Sequence, residues 1–218
     1  MPLAAPLIVT AVLALLALTA YPGRERVFTA VAGSAERSEL APLVGTVAEL
    51  GLLALVATAG VLAAWCWFRS RRRFWPLAFA GLGVIAAYVL SEGVKLLVAQ
   101  PRPCDVVDIA TVLTCPGAGD WSWPSNHSVL AAAFAAACVL TVRRIAWLTV
   151  PLALVIATSR VAAGVHYAHD VLSGLAFGLL VVTVVVAVVR SALDTRFVRG
   201  SAPARSRRVG AQSGGDDD

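Results

Sequence analysis

The chain alternates between long apolar runs and short polar ones. Apolar stretches cover roughly residues 3–20, 43–68, 74–97, 125–142, 145–163 and 171–189. A membrane-crossing helix needs about 20 such residues. The pattern therefore predicts an all-α, polytopic membrane bundle of six transmembrane helices over residues 1–200. No basic segment precedes the first run, which reads as a retained helix rather than a cleaved signal peptide. Residues 21–42 carry mixed charge (Arg24, Glu25, Arg26, Glu36, Arg37, Glu39) and suit a short interfacial helix. The polar segment 100–124 is rich in Pro, Cys, Asp and Gly. Residues 201–218 end in Ser-Gly-Gly-Asp-Asp-Asp, a composition that predicts a disordered cytoplasmic tail.

Composition supports the membrane assignment. Only 14% of the 218 residues are charged and 59% are hydrophobic, whereas a soluble domain carries about 25% charged residues. The net charge is +5, yet no soluble fold presents a basic face, so nucleic acid is not an expected partner. The basic residues are nearly all arginine, with Lys95 the sole lysine. Arginines cluster at 69–73, 143–144 and 190–208, always two crossings apart. They therefore share one side, which arginine-rich loops mark as cytoplasmic. Both termini join them there, and segments 21–42, 100–124 and 164–169 face the other way. Cys66 and Cys138 lie in apolar runs as buried thiols. Cys104 and Cys115 flank the polar loop, either as free thiols or, in an oxidising compartment, as a pair.

The parity of crossings brings the unusual polar residues to one face of the membrane. Ionisable groups in such a place mark function by default. Lys95 and Arg102 are seven apart, nearly two helical turns, so they would share a helix face, with Pro101 and Pro103 ending the helix there. The plain alternative is a pair of snorkelling cations. Ser125 suits an N-cap, leaving helix N–H groups aimed outward as an anion site, with His127 in the first turn. His166 and Asp170 are four apart and would be neighbours on a helix. Asp170 would then hold one imidazole nitrogen and leave the other as a nucleophile. Gly164 suits a tight turn, with Arg160 upstream facing the bundle.

A metal held by His166, His169, Asp170 and His127 is a rival reading, disfavoured by the three nearby cations. Asp105, Asp108 and Asp120 read as solvated loop residues. Three cations and helix N–H groups match a phosphate dianion and the added charge of its transition state. A second histidine would protonate the leaving oxygen.

The motifs Lys95-x6-Arg102-Pro103, Pro124-Ser125-Asn126-His127 and Ser159-Arg160-x5-His166-x3-Asp170 occur in this order. In this the chain resembles the type 2 phosphatidic acid phosphatase superfamily. The resemblance implies that His166 is the nucleophile, Asp170 its orienting partner and His127 the general acid. It implies a phosphate clamp of Lys95, Arg102 and Arg160, with Ser125 and the Asn126 backbone as further donors. His169 matches no motif position and is given no role. Glycine is frequent in the family where Asn126 stands, and asparagine there is similar to bacterial polyprenyl-diphosphate phosphatases.

The implied reaction needs no metal and no cofactor. It would remove phosphate from a membrane lipid, through a phosphohistidine, at the extracytoplasmic face of a bacterial cell membrane. A polyprenyl (di)phosphate is the leading substrate. Phosphatidylglycerophosphate, phosphatidic acid and decaprenyl-linked sugar phosphates are alternatives. A phosphotransferase, a non-catalytic lipid binder and a small multi-pass transporter are the other readings. A transporter would place its charges near the midplane on broken helices.

Overall fold

The computed structural model describes residues 3–200, so the tail expected at 201–218 lies outside the described residues. Every regular element among them is helical. In chain order these are α1 (Ala4–Ala20), α2 (Arg24–Glu36), α3 (Ala41–Arg69), α4 (Arg71–Val98), α5 (Pro103–Val106), α6 (Asn126–Thr141), α7 (Ala146–Ala162) and α8 (Ala168–Gly200). A single 3-10 turn, Arg143–Ile145, leads into α7.

Fewer of the described helices have the length and apolarity of a full span than the six read off the apolar runs. Four helical stretches are long and apolar enough to span a bilayer among the described residues, namely α3, α4 continued through α5, α7 with its leading 3-10 turn, and α8. A fifth is obtained if α1 and α2, bent by 93° at Tyr21-Pro22-Gly23, count as one broken span. Helix α6 has only 16 residues, about 24 Å of rise against about 30 Å of hydrocarbon. It need not match the lipid thickness, because it is enclosed by protein, where its backbone meets no acyl chains.

That enclosure follows from small residues. Helix α6 is largely alanine, and Ala131, Ala132, Ala133, Ala135, Ala136 and Ala137 are all buried. Glycines on α8 let the two backbones touch. A Cβ on Gly178 would lie 2.1 Å from the Val129 carbonyl oxygen, and one on Gly174 would lie 2.7 Å from that of Ser125. Close approach of this kind is how helices associate where lipid is as apolar as the side chains. Gly83 does the same for α4 against Val182 of α8. The outward faces remain apolar, with Leu53, Val61, Leu82, Ile85, Val89, Leu96, Leu154 and Val188 all exposed, as suits contact with acyl chains.

The two ends of the bundle differ in chemistry. At one end Cys66, Phe74, Leu140, Val142, Ile145 and Val186 share a single core cluster. The arginine clusters of the α3–α4 and α6–α7 junctions border it. Exposed Trp65, Trp67, Trp75 and Trp147 accompany them, and the Arg71 guanidinium sits 4.1 Å above the Trp67 ring. Aromatics with arginines at one level are a membrane-interface signature. The polar loop and the motif residues gather at the other end.

There the chain is folded tightly. Helix α4 stops at Ala99, which takes the left-handed conformation (φ 47°). Arg102 is extended, and Pro103 opens the short α5. Cys104 and Cys115 form a disulfide, Cα atoms 5.7 Å apart, resolving the two options left open by the sequence. The loop beyond crosses the α7–α8 turn, where Leu113 N–H donates to Ala163 O at 3.1 Å. Gly164 has φ 84°, and a Cβ there would lie 2.4 Å from Thr111. Glycine is thus required at this position on two counts.

Candidate active site

Eight residues drawn from five segments converge at this end. Lys95 comes from the last turn of α4 and Arg102 from the extended segment after it. Ser125, Asn126 and His127 open α6, Arg160 closes α7, and His166 and Asp170 border the start of α8. Lys95, Arg102, Arg160, Ser125, His166 and Asp170 are all buried. Buried ionisable groups in such number mark a candidate functional site.

Lys95 and Arg102 do not share a helix face, because α4 ends before Arg102. They meet instead through the loop. Asp120 Oδ1 lies 3.1 Å from Lys95 Nζ and 2.9 Å from Arg102 Nη2. Arg102 Nε donates to the Asp120 carbonyl (2.8 Å), and Nη1 to the Val165 carbonyl (2.9 Å). Asp120, half-exposed in the loop, is therefore an ion-paired partner of both cations as well as a solvated loop residue. Burial alone would raise its pKa, but the hydrogen bonds and charges of Arg102 and Lys95 outweigh that and hold it below the usual carboxylate range.

His166 lies in the turn before α8 rather than on the helix with Asp170. Its Nε2 is 3.1 Å from Arg102 Nη1. A guanidinium offers only donors, so Nε2 accepts and the neutral ring keeps its proton on Nδ1. Burial, the largest influence, pushes the His166 pKa down to about 4, against the opposing pull of Asp170. The ring is neutral at pH 7, with its lone pair on the clamp side.

Nδ1 faces a carboxylate through an intermediary. The direct Nδ1–Asp170 Oδ2 distance is 3.6 Å, too long for a good hydrogen bond. Ser122 Oγ lies between, 3.3 Å from Nδ1 and 2.5 Å from Asp170 Oδ2. Asp170 is saturated by its neighbours. Oδ1 accepts from Gln100 Nε2 (2.9 Å) and is 3.0 Å from His169 Nε2, while Oδ2 also accepts from Tyr167 N–H (2.9 Å). His169, given no role from the motifs, is thus a buried partner of the carboxylate, stacked on Tyr167.

Ser125 occupies the N-cap position of α6 without making a side-chain cap. Its N–H donates to the Asp170 carbonyl (3.2 Å), tying α6 to α8, and its hydroxyl accepts from Ser128 (3.2 Å). The Asn126 side chain accepts from Ser91 (2.8 Å) and donates to Glu92, which lies 3.9 Å from Lys95. His127 is half-buried within the fields of Arg160, Lys95, Arg102 and Asp120. Arg160 donates to the Ala48 carbonyl (2.8 Å), and its Nε is buried with no partner among the described residues. An unpaired buried donor of this kind calls for a partner.

Gln100, Asp120, Ser122 and Glu92 are the site neighbours that motif reading passes over. They lie in loops or at a helix end, where spacing in sequence says nothing of contact in space. Cys104, Asp105 and Cys115 form a compact sulfur–oxygen cluster, but both sulfurs are consumed by the disulfide.

The fold and the site thus join a helical bundle of membrane type to a cluster of buried cations and histidines at its helix ends. The profile of the PAP2 superfamily matches residues 76–193, and the chain belongs to that superfamily. It is 32% identical over 128 residues to undecaprenyl-diphosphatase BcrC of Bacillus subtilis, covering 59% of this chain and 65% of that one. It is 37% identical over 117 residues to a decaprenylphosphoryl-5-phosphoribose phosphatase of Mycobacterium tuberculosis, covering 53% and 61%. The match thus spans less than two thirds of either relative. A transmembrane PAP2-type phosphatidylglycerolphosphate phosphatase from Bacillus subtilis shares the fold, with TM-score 0.61 and 21% identity over 94% of this chain and 98% of that one.

Proposed function

We propose that this protein is a membrane lipid phosphatase that hydrolyses a polyprenyl phosphate or diphosphate through a phosphohistidine on His166. The observation that carries the reading is the Arg102–His166 contact at 3.1 Å. It keeps the Nε2 lone pair free of a proton and beside the cations that would hold the phosphate.

In the reaction, Arg102 turns from Nε2 to a phosphoryl oxygen, joined by Lys95, Arg160 and the first N–H groups of α6. Nε2 attacks phosphorus, and the bond from phosphorus to the lipid-side oxygen breaks. His127 gives its proton to that oxygen. Water then attacks the phosphohistidine, with His127 taking its proton, and inorganic phosphate leaves. Nδ1–H keeps its bond to Ser122 and Asp170 as the ring gains positive charge. The clamp supplies the charge stabilisation on which phosphoryl transfer chiefly depends, and no step draws on a metal or cofactor.

The polyprenyl reading draws on two relatives whose names carry undecaprenyl and decaprenyl chains. A glycerolipid phosphate is the second reading, from the shared fold with the phosphatidylglycerolphosphate phosphatase. The six-crossing arrangement, counting α1–α2 and α6 as crossings, puts the site outside the cytoplasm, and the arginine-and-tryptophan end of the bundle supports it. A bacterial cell membrane is the location that fits both. The test is phosphate release by the purified chain from polyprenyl and glycerolipid phosphates, with and without EDTA. His166→Ala abolishes release under this reading, and acid-labile phosphate on the wild type disappears with it. Turnover that survives the substitution, or that EDTA stops and metal restores, overturns it.

A further inference from the structure

One carboxylate oxygen bridges the two cations that open the clamp. Asp120 Oδ1 accepts from Lys95 Nζ at 3.1 Å and from Arg102 Nη2 at 2.9 Å. This is the arrangement a phosphoryl oxygen would take between an ammonium and a guanidinium. The Asp120 side chain is 51% exposed, whereas those of Lys95 and Arg102 are 7% and 4% exposed. The anion therefore reaches the buried cations from the solvent side. It rides on a loop, two residues from Gly117-Ala118 and next to Gly119, which has φ 90° and open space where a Cβ would be.

We infer that Asp120 is a specificity-determining residue, a built-in anion that a substrate must displace and that bars singly charged lipid headgroups from the clamp. The inference rests on the reading of Lys95 and Arg102 as a phosphate clamp. Its logic is charge against charge. A bilayer surrounds the site with phosphodiester headgroups, each carrying one negative charge. Such a group offers the cations no more charge than the carboxylate already there, and must be desolvated besides. A terminal phosphate brings up to two charges and a diphosphate more, so these displace the carboxylate. The loop thus converts an unselective cationic pocket into one that prefers terminal phosphates. Asp120 is held below the usual carboxylate range by its two partners, so the competitor stays charged throughout neutral pH. Specificity arises here from a repulsive element as much as an attractive one.

The test uses the full chain in neutral-detergent micelles, with inorganic phosphate as the dianionic probe and dimethyl phosphate as the monoanionic one. Binding is read by titration calorimetry, and turnover by phosphate release from a short-chain polyprenyl phosphate. Asp120→Asn keeps the shape and removes the charge. It tightens inorganic phosphate about three- to tenfold, the worth of a partly exposed ion pair. It lowers KM in parallel and turns dimethyl phosphate, inert toward the wild type, into a competitive inhibitor. Asp120→Ala carries the same expectation and guards against misfolding of the first variant, with melting temperature as the check. Unchanged or weaker phosphate binding in both variants overturns the inference and leaves Asp120 as a prop for Arg102. A wild type that binds no phosphate and releases none overturns the clamp reading instead, so the two failures are distinguishable.

Discussion

At the scale of single residues, two groups around His166 make separate predictions. Ser122 Oγ is the nearest acceptor for Nδ1–H, and Asp170 acts on the ring through it. Ser122→Ala leaves Nδ1–H facing a carboxylate 3.6 Å away. The neutral ring is then poorly oriented, and the positive ring formed on phosphorylation is poorly supported. The expected result is kcat lower by about tenfold with KM nearly unchanged, the mark of an interaction needed after binding. A KM change of the same size with kcat intact would assign Ser122 to substrate binding. The second prediction concerns pH. The folded protein holds His166 at about pKa 4, against about 6.5 in an unfolded chain. Between these values the unfolded chain binds a proton that the folded one refuses, so stability is full above about pH 6.5 and falls as pH drops toward 4. Melting temperature in detergent should fall over this window, and less steeply in His166→Asn, which cannot take up that proton. Equal slopes in both proteins would remove His166 as the cause.

At the scale of elements, the glycines of α8 decide how near α6 comes, and α6 carries Ser125, Asn126 and His127 in its first turn. Gly178→Ala places a methyl 2.1 Å from the Val129 carbonyl oxygen, a backbone atom that cannot step aside alone. Overpacking of this kind costs about 1–3 kcal/mol. It also pushes the start of α6 off α8, so lower thermal stability should come with a higher KM. Gly81, which has open space around it, is the control and tolerates alanine. The elements themselves were largely legible in the apolar runs, because lipid demands helices of a known length. The three motifs singled out Lys95, Arg102, His127, Arg160, His166 and Asp170, and passed over His169. What stayed hidden arises from contacts across the chain. The left-handed turn at Ala99 separates Lys95 from Arg102, which spacing alone placed on one helix face. Asp120 read as a loop carboxylate, since nothing local distinguishes it from Asp105 or Asp108. His169 and Gln100 became visible only once the start of α8 met the end of α4.

At the scale of the whole molecule, the question is which way the bundle faces. All the site residues sit at helix ends, with Lys95 three residues from the end of α4 and Asp170 in the first turn of α8. A transporter would instead hold its charges near the midplane. The opposite end carries the arginine clusters at 69–73 and 143–144 and the exposed tryptophans, features of a membrane interface. The chain offers a direct test, because Lys95 is its sole lysine and is buried. A single introduced lysine is then the one side-chain amine open to a membrane-impermeant amine reagent. Asp108 is exposed on the disulfide-closed loop, and Arg72 is exposed at the arginine end. In intact cells Asp108→Lys should be labelled, whereas Arg72→Lys should react only after permeabilisation and the parent chain should show no side-chain labelling in either state. Neither substitution touches the clamp, so phosphate release by both variants should match the parent and show that the labelled population is folded. The reverse labelling pattern would turn the bundle over, place the reaction in the cytoplasm and leave the tryptophan-lined end facing outward.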